Sequence, residues 1–90
     1  EYSGHNYPEK LDNAKSGIVY GEKYNGIDFY ASKYIAEDTR SSSSAECVRE
    51  DIKIRTDKRC DFSGEWWYEC TSAEGGSYLG WVNGDLIEFD

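Results

Sequence analysis

The sequence has no methionine, one proline and one histidine, and only ten lysines and arginines against eighteen aspartates and glutamates, for a formal charge of −8 over 90 residues. A phosphate backbone is held by a surplus of basic groups, so this balance nearly excludes non-specific nucleic-acid binding and argues against anionic membrane surfaces. Long apolar runs are missing too. Nothing approaches the roughly 18 consecutive apolar residues of a membrane span, and no charged-then-apolar leader precedes a small-residue cleavage site. The chain starts at Glu1, which reads as processing or excision from a longer protein. His5 lies in a polar stretch, so a Cys–His or Ser–His pair requires that stretch to fold back over the domain. Carboxylate pairs such as Asp85 with Glu88 arise by chance among so many acids, and the chain reads as non-catalytic and without a cofactor. Cys47, Cys60 and Cys70 fit no zinc spacing, and the doublets Glu37-Asp38 and Glu50-Asp51 lack an EF-hand frame, so no metal is expected. An odd set of cysteines in a small domain suggests a disulfide between two of the three and one thiol left over. The choice of partners is open, and three reduced thiols are the alternative.

What the chain has instead is aromatic mass: eight tyrosines, three tryptophans and three phenylalanines, 16% of all residues. Ninety residues make one domain, and large rings can fill its core in place of many aliphatic groups. Residues 1–17, with Gly4, Pro8, Asn13 and Gly17, read as a polar, weakly structured arm, with Tyr7 and Leu11 packing an end onto the core. From Ile18 the pattern turns to β. Asn25-Gly26 marks a hairpin turn, because both positions tolerate positive φ, with Ile27–Tyr30 as the returning strand, continuing through Tyr34-Ile35-Ala36. The serine run Ser41–Ser44 reads as an exposed loop. Val48, Ile52 and Ile54 alternate with charged residues in the manner of a half-buried strand. Trp66–Thr71, Tyr78–Val82 and Leu86–Phe89 follow as further strands, separated by Glu74-Gly75-Gly76 and Asn83-Gly84-Asp85. The expectation is an all-β fold, a small barrel or sandwich over residues 18–90 with a leading hairpin that covers an open sheet edge.

The segment from Gly64 through Trp66-Trp67-Tyr68-Glu69-Cys70, followed by Gly80-Trp81-Val82-Asn83-Gly84-Asp85-Leu86-Ile87, resembles SH3-like barrels, and within them the bacterial SH3 (SH3b) domains, over about residues 31–89. Trp67 takes the place of the family's tryptophan, Cys70 that of its valine, and Gly80-Trp81-Val82 matches directly. Thr39-Arg40-Ser41 matches the upstream segment only loosely, without its proline. The resemblance implies a non-catalytic, extracytoplasmic binding domain for protein, cell-wall peptide or glycan ligands, with Trp66 beside the ligand groove. Strand alternation places Trp67 and Glu69 on one face and Trp66, Tyr68 and Cys70 on the other. A bulge is then needed if Trp67 and Cys70 are both to be buried.

The candidate ligand surface comprises Trp66, Tyr68, Tyr78 and Trp81, with Tyr34 from the single tyrosine left of a proline-recognition strand. Aromatic faces offer large apolar area at low side-chain entropy. Two other functions stand beside the first. A rigid anionic domain suits an inhibitor, immunity protein or secreted effector docking on a basic partner. A proline-rich-peptide adaptor is the third reading, with two of its three groove elements absent.

Overall fold

A computed structural model describes residues 8–30, 44–62 and 64–90. Among them run seven strands: β1 (Glu9–Tyr20), β2 (Ile27–Tyr30), β3 (Ser44–Val48), β4 (Asp51–Phe62), β5 (Glu65–Ser72), β6 (Tyr78–Asn83) and β7 (Ile87–Phe89), with a single 3₁₀ turn, Gly84–Leu86, before the last. The all-β expectation holds. The strands form one antiparallel sheet in the order β3-β2-β6-β5-β4-β1-β7. All seven contribute to one buried cluster: Val19 from β1, Phe29 from β2, Val48 from β3, Ile54 from β4, Cys70 from β5, Val82 from β6 and Ile87 from β7. Strands from opposite edges of one sheet meet in a common core only if the sheet rolls up around it, as accumulated twist allows.

The N-terminal region departs from the sequence expectation. Residues 9–17 are strand rather than a loose arm: β1 pairs with β4 from Glu9 to Tyr20, and β7 covers its other side only at Gly17, Ile18 and Val19. Its first half is poor in β-formers, and pairing to β4 prevails over that weak local preference. Glu9 and Lys10 sit opposite Arg59 and Lys58, pairing is interrupted, and it resumes at Lys15 opposite Thr56. The Glu9 carboxylate accepts from Arg59 Nε at 2.8 Å, and Leu11 packs against the core. The Asn25-Gly26 turn forms as expected, with φ of 59° and 110°. The strand that follows does not return on β1, however. β2 pairs with β3 on one side and, through Tyr30 opposite Trp81, with β6 on the other. A turn signal fixes the local bend, whereas the choice of strand partner depends on distant residues. Tyr34-Ile35-Ala36, Thr39-Arg40-Ser41 and most of the serine run lie outside the described residues.

Two irregularities set which side chains face in. On β4 the pairing shifts between Thr56 and Lys58. Ile54 and Thr56 are buried on the inner side, and beyond the shift Cys60 is buried in a second, outer cluster with Trp81. Thr56 lies only 3% exposed, and its hydroxyl donates to the Lys58 carbonyl at 3.0 Å, which satisfies this buried polar side chain. On β6 the register slips beside Gly80, whose φ is 125°. The slip lets Leu79 and Val82, three apart, both reach the inner core while Trp81 between them joins the outer cluster.

Candidate functional site

The tryptophan-rich strand and the Gly-Trp-Val strand are neighbours. β5 pairs with β6 through Trp67 opposite Asn83, Tyr68 opposite Val82, Glu69 opposite Trp81 and Cys70 opposite Gly80. Along β5 the expected alternation is realised, with Tyr68 and Cys70 in the inner core and Trp67 half-buried against the outer cluster. Trp67 and Cys70 therefore do not share a core, and the bulge that the family pattern called for lies on β6 instead.

The five expected ligand residues do not form one surface. Trp81 is 1% exposed and Tyr68 6%, so both are chiefly packing residues, although the Tyr68 ring edge still reaches a surface depression. Trp66 and Tyr78 are exposed, at 39% and 52%, but they line separate depressions. Tyr34 lies outside the described residues.

Two depressions flank the 3₁₀ turn. That turn is set by Asn83, whose side-chain oxygen accepts from the Asp85 backbone N–H at 2.8 Å while its Nδ2 donates to Glu65 at 2.7 Å. The first depression, about 280 Å³, is walled by Tyr24, Tyr30, Trp67 and Leu86, with Asp28 at its rim. Tyr24 comes from the Asn25-Gly26 turn, Tyr30 from β2, Trp67 from β5 and Leu86 from the 3₁₀ turn, so four elements converge there. Tyr30 meets the Trp67 ring edge-on at 6.3 Å, and both rest on Trp81 and Cys60. Sequence reading missed Tyr24, Tyr30 and Trp67 as surface groups. The available signal was Tyr24 beside a turn dipeptide, where an aromatic ring has little to pack against.

The second depression, about 300 Å³, lies on the other side of the turn between Trp66, Tyr68 and Phe89, with Glu65 and Asp85 alongside. Tyr68 and Phe89 meet edge-on at 5.0 Å. The guanidinium of Arg59 lies 3.8 Å from the Trp66 ring centre and is also paired with Glu9. A third hollow, about 270 Å³, involves Tyr78, Glu69, Arg55 and Thr71 on the outer face. There the Tyr78 hydroxyl donates to Glu69 at 2.7 Å, with Lys58 4.0 Å from the same carboxylate. Burial, then the bond to Glu69, hold Tyr78 well above its ordinary pKa, so it remains a neutral donor and not a nucleophile or base.

The expected disulfide is not formed. Cys47, Cys60 and Cys70 are not joined to one another, and their positions explain why. Cys47 is exposed on β3 opposite Asp28, Cys60 opposes Trp67 in the outer cluster, and Cys70 is sealed in the inner core. Burial pushes the Cys70 thiol up to about 12 and raises Cys60. Loss of solvation, followed by a hydrogen bond with Asp28, raises Cys47. None is an activated thiolate. Among the described residues no three His, Cys, Asp or Glu side chains gather to hold a metal ion, and no helix is long and apolar enough to cross a membrane. Comparison with known protein families, curated proteins and solved structures finds no match for this chain.

Proposed function

We propose that this is a non-catalytic, SH3-like binding domain acting outside the cytoplasm, which holds a protein or wall-peptide ligand against the depression formed by Tyr24, Tyr30, Trp67 and Leu86. The single observation that carries the reading is that convergence of three aromatic rings and one leucine from four segments on an open surface. Concave, mostly apolar sites with a few polar groups at the edge are the usual shape of ligand sites. Rings held by packing bind at little entropic cost. The resemblance to SH3b domains supplies the location and the ligand class.

The charge selects among ligands. At −8, with Asp28 on the rim, the domain repels teichoic-type anionic polymers and attracts basic protein or cationic peptide. The same charge favours a second reading, an acidic inhibitor, immunity protein or effector that docks on a basic enzyme or host protein. The two separate by salt. Association through the aromatic depression keeps most of its affinity at high ionic strength, whereas docking through dispersed surface charge is screened. The test is titration of the domain, and of its Tyr24→Ala variant, against purified wall peptides and basic protein fractions. Saturable binding that Tyr24→Ala weakens supports the proposal. Absence of saturable binding to either class removes it.

A further inference from the structure

A second hollow lies on the other side of the 3₁₀ turn, where three aromatic rings stand with carboxylates beside them. Trp66, Tyr68 and Phe89 supply the rings, and Glu65 and Asp85 the acids. The chain's own cations already exploit two of these rings: Arg59 lies 3.8 Å from the Trp66 centre and the Lys15 ammonium 5.2 Å from that of Phe89. An aromatic ring attracts a cation through the negative potential over its face, and the attraction grows as water is excluded. Arg59 is itself paired with Glu9, so it adds little net charge. Glu65 is engaged by Asn83. Among the described residues the Asp85 carboxylate has no hydrogen-bond or ion-pair partner; only its backbone N–H is used.

From this arrangement we infer that the hollow between Trp66, Tyr68 and Phe89 is a cation cage for a basic side chain of the partner protein, a lysine ammonium in plain or methylated form, with Asp85 as its counter-charge. The inference rests on the proposal that the partner is a basic protein, and adds to the first depression a contact point about 300 Å³ in volume. Shape and charge divide the work between the two hollows: the first, with Tyr24, Tyr30 and Trp67, takes apolar surface, and the second takes the charge. Arg59 acts here as an internal competitor, because it occupies the face of the Trp66 ring.

The experiment titrates three small probes, Nα-acetyl-lysine amide, Nα-acetyl-trimethyllysine amide and the neutral Nα-acetyl-norleucine amide, into the isotope-labelled domain. Chemical shifts of the Trp66 indole N–H and the Gly64 and Gly84 backbone amides are followed. Both cations move these signals in a saturable way and norleucine does not. Asp85→Asn weakens the cations by up to about fivefold, the size of an exposed ion pair, and Arg59→Gln strengthens them by about two- to fivefold, the size of an exposed cation–ring contact. An equal response to norleucine, or no loss in Asp85→Asn, overturns the cage, and weaker binding in Arg59→Gln overturns the competition. Cation-induced shifts confined to Tyr24, Tyr30 and Trp67 also overturn the cage and leave the first depression standing. Probe binding at Trp66 in a domain that binds no basic protein refutes the proposed function alone.

Discussion

Gly80 on β6 approaches the backbone of Tyr30 on β2 so closely that a β-carbon there would stand 2.8 Å from the Tyr30 carbonyl oxygen and 3.3 Å from the Phe29 β-carbon. This contact joins β2 to the rest of the sheet, since Tyr30 opposite Trp81 is the described register pair between β2 and β6. It also brings Tyr30 beside Trp67 and so builds one wall of the first depression.

Gly80→Ala meets both a backbone clash and a φ of 125° that side chains rarely adopt. The expected loss is about 2–4 kcal/mol, from strain plus the shift of β2. Gly75→Ala, at φ 99° in open space, carries strain alone and loses about 1–2 kcal/mol. Urea unfolding of the two variants side by side checks the difference. Equal losses would mean that β2 does not press on β6.

Trp81 and Trp67 share one cluster but differ in exposure. Trp81→Ala removes a side chain 1% exposed and is expected to cost about 3–5 kcal/mol, the range for a buried large aromatic group. Trp67→Ala removes a half-buried one, and its stability loss is smaller while its loss of ligand binding is larger. Denaturant midpoints together with binding titrations separate the two roles. A reversed order of midpoints would place Trp67 in the core.

The thiols give a prediction in pH. With Cys70 raised in the folded chain from 9.0 to about 12, both states hold its proton below pH 9 and this group adds no pH dependence. Between those values the unfolded chain releases the proton and the folded chain keeps it. Stability therefore falls with rising pH, by up to about 1.4 kcal/mol per unit for one proton. Raised Cys47, Cys60 and Tyr78 act in the same direction, so Cys70→Ala flattens the decline without abolishing it. Unfolding free energies from pH 8 to 11 measure this; an unchanged slope in Cys70→Ala would contradict the burial of that thiol.

Exposure orders the same thiols toward reagents. Iodoacetamide on the native protein labels Cys47 first, and Cys60 and Cys70 react fully only after denaturation. Intact-mass analysis reads the labels. Early modification of Cys70 would contradict its place in the sealed core.

The second half of the chain was legible because its signals are local. The Trp66–Thr71 and Tyr78–Val82 strands, the Glu74-Gly75-Gly76 turn between them, and the Asn83-Gly84-Asp85 bend all appear where alternation and turn chemistry place them. The alternation on β5 correctly set Tyr68 and Cys70 apart from Trp67. What escaped was non-local. Asp12, Asn13 and Ala14 gave no hint that the arm around them is strand laid along β4. Asn25-Gly26 announced a turn, yet the sheet gave β2 other partners than β1. The candidate site failed for a related reason: aromatic residues on β6 look alike in sequence, and only the slip at Gly80 sends Trp81 under Trp67 and Tyr30 rather than to the surface.

The most direct test of the central claim follows the three indole N–H signals while a basic protein partner or wall peptide is titrated into the labelled domain. Trp67 lines the first depression, Trp66 the second, and Trp81 is buried beneath the first. Trp67 is expected to shift with saturation, and Tyr24→Ala to suppress the response. A saturable ligand that leaves Trp67 unmoved would contradict it.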